Sequence, residues 1–230
     1  MNTADVKRLA LDLGADLCGI ASIDRFSDAP EGFHPSDVMP SCRSVVALAK
    51  AFPVGTLHAA TKVPYTITRN MLSDILDKLT VELCIRLEKQ GIAALPTGAI
   101  SHNQFDPKTG RMRAIVSAKH CAAAAGLGRI GKNTLLVTPQ YGNMVWLGVV
   151  LTDAELAPDD VLTGNPCPSG CTWCADHCPA SALGNPMMNQ SACYAHAFHT
   201  EPGQEFVFKC HLCRTGCPNC LGTRNKLQAG

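Results

Sequence analysis

The sequence predicts an α+β fold of two parts, a larger region of helices and strands followed by a smaller region rich in cysteine. Apolar residues recur at helical spacing in some segments and form short unbroken runs, typical of buried strands, in others. Nine of the 13 cysteines lie between residues 167 and 220. The intervening residues 153–166 are acidic and loop-like, so we expect domains of residues 1–157 and 158–230.

Each element follows from local pattern. Apolar spacing, a possible cap at Thr3 and terminating glycines predict three helices, at residues 3–13, 71–90 and 117–125. Unbroken apolar runs predict four strands, at residues 17–22, 44–49, 134–138 and 145–152. A turn at residues 139–142 predicts that the last two strands form a hairpin. Proline- and glycine-containing stretches predict irregular segments at residues 26–41, 53–67 and 95–110.

The cysteine spacing is the most specific chemical signal. The motifs are Cys167-x3-Cys171-x2-Cys174-x3-Cys178-Pro179, an isolated Cys193, and Cys210-x2-Cys213-x3-Cys217-Pro218-x-Cys220. Bacterial ferredoxins use C-x2-C-x2-C-x3-C-P, in which three thiolates hold one cluster and the fourth holds another. The short gaps let a loop wrap a cubane, and the proline stops that loop from continuing as helix. The pattern predicts a ferredoxin-like domain with two 4Fe–4S clusters.

Two other uses of these cysteines explain less. A structural zinc site could be built from the pairs 171/174 and 210/213, but it leaves Cys167, Cys178, Cys193 and Cys217 without a role. A disulfide framework belongs to small secreted chains, and no export signal is apparent at the amino terminus. We therefore favour iron–sulfur clusters over both.

Composition suggests the surroundings of the protein. The formal net charge of +1 offers no global electrostatic attraction to nucleic acid or to an anionic membrane. Charged residues make up 17%, below the roughly 25% usual for soluble domains, which predicts apolar surface hidden against a cofactor or partner. No apolar run reaches the length of a membrane span. We expect a cytoplasmic protein with reduced thiols and no membrane partner, from an anaerobe or a cell that repairs its clusters.

Gly126-x-Gly128-x-x-Gly131 matches the dinucleotide-binding fingerprint in letters only. That fingerprint requires a strand before the glycines and a helix after them, whereas here a predicted helix precedes and a predicted strand follows. The glycines instead predict a loop where backbone can approach a bulky ligand, with Arg129 and Lys132 placed to meet a phosphate or carboxamide. A plain helix-to-strand turn with solvated charges remains the alternative.

Residues 117–136 include Ala125-Gly-Leu-Gly-Arg-Ile-Gly-Lys-Asn-Thr134, which resembles the AGLGWIGKNT signature of the epoxyqueuosine reductases. Residues 35–46 and the order of the cysteine runs resemble the same family, which is related to the reductive dehalogenases. The resemblance implies a nitroreductase-like α/β domain that binds base-off cobalamin, beside a double 4Fe–4S domain. It implies cofactor-binding residues in and before the glycine loop: Lys119, Gly126, Gly128, Arg129, Gly131, Lys132 and Asn133.

The resemblance also implies how the thiols are shared. One cluster would be held by Cys167, Cys171, Cys174 and Cys217. The other, nearer the corrinoid, would be held by Cys178, Cys193, Cys210 and Cys213. Cys220 is a ninth thiol that could replace Cys167 or Cys217, or be spare.

Three departures from the family pattern bear on the substrate. Residues 111–117 contain no acid where the family has its catalytic aspartate, and Thr68-Arg69-Asn70 replaces an Asp-Tyr-His segment. The family's helical-repeat extension, which helps to hold tRNA, does not follow Cys220. From these departures we expect that epoxyqueuosine in tRNA is not the substrate and that nucleic acid is not a partner.

The sequence therefore predicts a corrinoid-dependent reductase of a small organic substrate, fed by a low-potential donor of the ferredoxin or flavodoxin type. Tyr65, Tyr141 and His120 are the candidate proton donors, with Lys119 and Arg113 as possible anion anchors. The rival hypothesis is an electron-transfer protein, or one that activates a separate corrinoid protein. A flavin on the first domain is a third possibility.

Overall fold

The computed structural model describes residues 1–99, 104–106, 111–184, 187–198 and 206–227, with backbone alone at 104–106, 111–113 and 225–227. The α-helices in this part of the chain are α1 Thr3–Asp12, α2 Pro35–Val38, α3 Val63–Glu88, α4 Ala118–Ala124, α5 Trp173–Asp176, α6 Gln190–Ala197 and α7 Leu212–Thr215. The strands are β1 Leu17–Ser22, β2 Ser44–Ala51, β3 Ala94–Pro96, β4 Gln104–Asp106, β5 Arg111–Arg113, β6 Arg129–Ile130, β7 Leu136–Val137 and β8 Val145–Thr152. Short 3-10 turns lie at Ile23–Phe26, Val54–His58 and Gly222–Leu227.

A four-stranded antiparallel sheet forms the centre, in the order β1-β2-β8-β3. The register pairs Leu17 with Ala49 and Ser44 with Thr152. The first six residues of β2 are buried, as expected for a strand with neighbours on both sides and helices on both faces. The apolar runs that predicted β1, β2 and β8 therefore correspond to the middle of the core.

Helices cover both faces of this sheet. Because successive strand residues point to opposite faces, Val46 and Leu48 of β2 pack with α1 and α3, whereas Val45 and Ala47 pack with α4. Full burial of each such side chain contributes about 2 kcal/mol to folding. The result is a helix–sheet–helix arrangement, which confirms mixed helix and strand content.

Two helix starts differ from expectation. Asn2, not Thr3, caps α1, with its side chain accepting the N–H of Asp5. Helix α3 begins at Val63, so residues 63–67, predicted as irregular, are helical. Pro64 lies in the first turn, where its missing N–H is not needed for helix hydrogen bonding.

The predicted hairpin of residues 134–138 and 145–152 is wrong. Strand β7 pairs with β6 in a separate two-stranded ribbon, whereas β8 pairs with β2 and β3. The eight-residue apolar β8 gains more burial between two long-range partners than beside the two-residue β7. This ribbon, where a dinucleotide fold would place a helix, also argues against a dinucleotide site.

Two predicted loops contain regular structure. Helix α2, entered through Pro35 and capped by the His34 side chain, lies within residues 26–41. The last two residues of β3 and all of β4 lie within residues 95–110, part of which falls outside the described residues.

The cysteine-rich region packs against the first part of the chain. Aromatic and aliphatic side chains from both regions form one cluster: Phe52, Tyr65, Leu72, Met144, Phe208 and Leu221. Asp159, just after the predicted boundary at residue 157, pairs with Lys7 and accepts the N–H of Ile20. The boundary itself stays a prediction. No helix in the described ranges combines the length and apolarity needed to cross a bilayer.

Candidate metal centres

Three short helices carry cysteines between residues 167 and 220. Cys174 lies in α5, Cys193 in α6 and Cys213 in α7, and six more thiols lie in the turns around these helices. All nine are partly exposed. The four remaining cysteines of the chain are buried: Cys18, Cys42, Cys84 and Cys121. The two sets of thiols therefore occupy different environments.

Cys167, Cys171, Cys174 and Cys217 form one group of neighbouring thiols. Burial raises the pKa of Cys174, and the charges of Cys167 and Cys171 raise it further. Burial also raises the pKa of Cys217, with additional increases from Cys167, Cys220 and Cys174. These thiols therefore influence one another electrostatically, and Cys220 belongs to the same neighbourhood.

Cys178, Cys193, Cys210 and Cys213 form a second group. Burial raises the pKa of Cys193, and Cys210 and Cys178 add to the increase. The pKa of Cys213 is raised to about 11, chiefly by burial, with the Arg214 charge opposing and the other three thiols reinforcing the shift. The family resemblance assigns these four thiols to one cluster, and that assignment of ligands stays a prediction.

In the part of the chain that the structure describes, no three or more His, Cys, Asp or Glu side chains converge as the ligands of a single metal ion do. A zinc ion draws its sulfur ligands to about 2.3 Å from one point, whereas a cubane holds its ligand sulfurs at four separate irons. The candidate centres are the two groups of thiols that the family resemblance implies, named quartet A (Cys167, Cys171, Cys174, Cys217) and quartet B (Cys178, Cys193, Cys210, Cys213).

Backbone N–H groups donate to one sulfur in each quartet. The Lys132 N–H donates to Cys167 Sγ at 3.3 Å, and the Ala182 N–H donates to Cys178 Sγ at 3.2 Å. A Cβ at Gly131 would stand only 3.5 Å from Cys167 Sγ. Hydrogen bonds to ligand sulfur are one means by which a protein sets a cluster's potential. Each quartet therefore has a backbone N–H to sulfur hydrogen bond of the kind that a bound cluster receives.

The glycine loop, residues 126–134, contacts both quartets. The Lys132 ammonium donates to the Cys171 carbonyl at 2.7 Å. The Asn133 side chain donates to the Cys213 carbonyl at 2.9 Å and is only 4% exposed. Two adjacent side chains of the loop thus connect quartet A with quartet B.

The glycines that begin this loop are required by contacts within the chain. A Cβ at Gly126 would lie 2.3 Å from the Asp160 carbonyl oxygen, and one at Gly128 would lie 2.4 Å from that of Val137. Gly126 also has a φ of +74°, which disfavours other residues. The close packing of the chain on itself therefore explains these two glycines without a ligand, and their role in cofactor binding stays a prediction.

The other basic residues near this loop also bind backbone. Lys119 Nζ donates to the Thr134 carbonyl at 2.9 Å, and burial lowers the pKa of Lys119. The Arg129 guanidinium donates to the Leu162 carbonyl at 2.7 Å. Both side chains hold the loop in place.

The three predicted proton donors differ in their contacts. Tyr65 is 6% exposed and stacks on His211 with ring centroids 4.1 Å apart. Tyr141 packs at the α4 side of the sheet, with the Arg224 guanidinium 4.9 Å from its ring centroid. His120 lies in α4 with Nδ1 2.6 Å from a serine hydroxyl, and burial and then Lys119 lower its pKa. Their catalytic role stays a prediction.

Two residues that the sequence analysis overlooked hold α5 against α7. A Cβ at Gly216 would overlap the ring of Trp173, so only glycine fits there. Trp173 in turn stacks on His177 at 4.3 Å. The sequence shows Gly216 between Cys213 and Cys217, but it does not show that this glycine packs against Trp173 of the first cysteine run.

The four buried thiols should resist alkylation. Burial raises the pKa of Cys18, Cys84 and Cys121 to about 12 and also raises that of Cys42. Because the thiolate is the reacting form, we expect iodoacetamide at about pH 8 to modify only the other nine cysteines after iron is chelated. Peptide mass spectrometry would count the modified sites, with circular dichroism showing that the helices persist. Rapid modification of Cys84 would contradict the packing of α3.

No protein-family model matches the chain. Epoxyqueuosine reductase of Staphylococcus aureus is 26% identical over 95% of this chain and 64% of that protein. The enzyme of the same name from Gloeobacter violaceus is 38% identical over 45% of this chain and 35% of that protein. The chain is therefore similar to the epoxyqueuosine reductases along most of its length. It spans less than two thirds of the length of these relatives.

Solved structures share the fold. Epoxyqueuosine reductase from Bacillus subtilis matches with a TM-score of 0.68 and 22% identity, covering 94% of this chain and 64% of that one. A catabolic reductive dehalogenase matches with a TM-score of 0.63 and 17% identity, covering 84% of this chain and 28% of that one. The mixed helix and sheet architecture is therefore that of both kinds of protein.

Two expectations about the substrate and partner are wrong. We expected that the chain does not reduce epoxyqueuosine in tRNA. This expectation is contradicted by relatives that align with most of this chain and are named epoxyqueuosine reductase. The exclusion of nucleic acid is contradicted by a solved epoxyqueuosine reductase in complex with a modified tRNA-Tyr stem loop, at a TM-score of 0.65 and 23% identity over 94% of this chain and 64% of that one. The net charge of +1 is a sum over the whole chain, so it does not describe the charge on any one face that could meet nucleic acid.

Proposed function

We propose that the chain is an iron–sulfur and corrinoid-dependent reductase of the epoxyqueuosine reductase type, acting on epoxyqueuosine in a tRNA stem loop. The observation that carries this proposal is the pair of thiol quartets joined by the glycine loop through Lys132 and Asn133. The names of the relatives supply the substrate class. A structural neighbour described as a B12-dependent dehalogenase supports the corrinoid.

The residues of quartets A and B fit two 4Fe–4S clusters. Each quartet offers four neighbouring thiols and an N–H donor to one sulfur, from Lys132 in quartet A and Ala182 in quartet B. When bound, such clusters supply one-electron transfer at low potential. The chain's own part is to hold the eight sulfurs and to donate the hydrogen bonds that set that potential.

Buried donors near quartet B fit a corrinoid, which carries amide groups and, as cobalamin, a phosphate. Arg69 Nε and Trp146 Nε1 are buried and have no hydrogen-bond partner in the part of the chain that the structure describes. The Arg69 guanidinium lies 5.0 Å from the Trp146 ring centroid and 4.8 Å from that of Phe208, two residues before Cys210. We assign contact with the corrinoid to these donors, because packing of the chain on itself already accounts for Gly126 and Gly128. When bound, the corrinoid supplies the reductive chemistry.

A second candidate function is electron transfer to a partner, including activation of a separate corrinoid protein. The observation that favours it is the burial of Tyr65, which is 6% exposed, and the contact of His120 with the Ser117 hydroxyl, because a reductase must bring a proton to its substrate. Both candidates draw electrons from a low-potential donor of the ferredoxin or flavodoxin type.

The test is anaerobic reconstitution with iron and sulfide, followed by cobalamin titration and a turnover assay. We expect about eight irons per chain, a base-off absorbance change on adding cobalamin, and loss of one oxygen from the modified stem-loop nucleoside by mass spectrometry. As a matched control, Arg69→Gln should keep the iron but weaken cobalamin binding.

The outcomes separate the candidates. Iron with cobalamin binding but an unchanged nucleoside would reject tRNA epoxyqueuosine as the substrate. Iron without cobalamin binding would reject the corrinoid and leave the electron-transfer function. Failure to take up iron would reject both.

A further inference from the structure

Arg214 is the one charged side chain among the buried residues of the described chain, with 6% exposure. It lies in α7, between Cys213 of quartet B and Cys217 of quartet A. Its guanidinium donates to the backbone carbonyls of Asn143 and Val145. These bonds fix its position, and within the described ranges no ion pair compensates its charge.

The surroundings of this guanidinium contain aromatic rings and further cations. It lies 5.3 Å from the Phe52 ring centroid and 5.7 Å from that of Trp146. Arg69 lies over the same Trp146 ring, and Arg224 donates to the Phe52 carbonyl. None of the five ion pairs found among the described residues includes any of these three arginines.

A buried cation without an anion is costly, so its persistence suggests a counter-charge that belongs to the functional protein. The adjacent residue, Cys213, is a member of quartet B, and four thiolates around a 4Fe–4S core carry a net negative charge. We propose that Arg214 is the built-in counter-charge of the cluster on quartet B and raises the reduction potential of that cluster. This inference rests on the proposed function, since it requires the cluster.

The direction of the effect follows from charge. On reduction the cluster gains one electron from the external donor, no bond breaks and no proton is taken up, so its negative charge increases. A fixed cation stabilises the more negative form more strongly, and the low dielectric of a buried site enlarges the difference. In quartet A the corresponding cation, Lys132, is exposed and therefore screened by water.

The experiment is a redox titration with dithionite, followed by electron paramagnetic resonance, on reconstituted wild-type, Arg214→Gln and Arg214→Lys proteins. The signal of the quartet B cluster is identified as the one lost in Cys193→Ser. We expect Arg214→Gln to lower the equilibrium constant for reduction of that cluster about tenfold, a fall of about 59 mV in its midpoint potential. Arg214→Lys should keep most of the wild-type value, and the quartet A cluster should change less.

A second variant covers the case in which Arg214→Gln loses its iron. Asn143→Asp introduces a carboxylate on the residue whose backbone carbonyl accepts from the guanidinium, at a fully buried side chain that has no hydrogen-bond partner among the described residues. Neutralising Arg214 in this way should lower the same potential. An unchanged potential in Asn143→Asp, or in an iron-loaded Arg214→Gln, would overturn the inference while leaving the clusters in place. A wild-type protein that binds no iron would instead overturn the proposed function.

Discussion

Cys193→Ser is expected to remove one of the two clusters and about half of the bound iron. The thiol of Cys193 interacts with Cys178 and Cys210 of quartet B, and α6 holds it there with an Asn189 cap. A serine hydroxyl is a poor substitute for thiolate as an iron ligand. Quartet A keeps all four thiols, so its cluster should remain. Iron and sulfide analysis after anaerobic reconstitution, with electron paramagnetic resonance, would measure the loss.

Cys220→Ser is the matched control and should retain all the iron. Cys220 is partly exposed and close to Cys217, and its carbonyl accepts the Met144 N–H at 3.2 Å. That backbone bond survives the substitution. Loss of a cluster at position 220 would make Cys220 a ligand in place of Cys167 or Cys217, whereas full iron in Cys193→Ser would refute quartet B.

Local pattern was sufficient for the strands that have a continuous apolar run. The bounds of β1 and β8 are those predicted. Both strands are buried on both faces, so their sequences are continuous apolar runs whose ends are easy to locate. The pairing of β8 could not be predicted in the same way. A short turn at residues 139–142 favours a hairpin locally, but two long-range partners bury more of β8.

The candidate site, like the sheet, was predictable from the sequence only in part. Spacing and resemblance were enough to propose the ligand sets, because short gaps bring thiols together whatever the rest of the fold does. The contacts of the glycine loop were not predictable, since the Asp160 and Val137 carbonyls are separated from Gly126 and Gly128 by intervening structure. The burial of Arg214 was not predictable either, because arginine is ordinarily a surface residue.

The substrate shows the limit of arguing from single positions. Missing acids at residues 111–117 and a changed segment at residues 68–70 were taken to exclude tRNA. The similarity to epoxyqueuosine reductases nevertheless extends along 95% of the chain. Local departures indicate that individual groups differ, and a proton can be supplied from another position; they do not by themselves exclude a class of substrate.

Gly142→Ala is expected to destabilise the protein by about 3 kcal/mol or more and to weaken the quartet A cluster. Its φ of +58° costs a non-glycine residue about 1 kcal/mol. The added Cβ would also lie 2.1 Å from the Asn219 carbonyl oxygen and 2.4 Å from Cys220 backbone atoms. Since these are backbone contacts, the turn that follows Cys217 must shift. Denaturant unfolding and iron content, both measured anaerobically, would test this.

Gly164→Ala separates the two causes. Gly164 has a φ of +85°, but an added Cβ there would meet no atom within 4 Å. It should therefore show only the backbone cost of about 1 kcal/mol and keep its iron. If Gly142→Ala lowers the free energy of unfolding clearly more than Gly164→Ala does, the turn after Cys217 is held by close packing on the first part of the chain. Equal losses would mean that this turn yields readily, so that quartet A owes its geometry to the cluster it binds rather than to the surrounding fold.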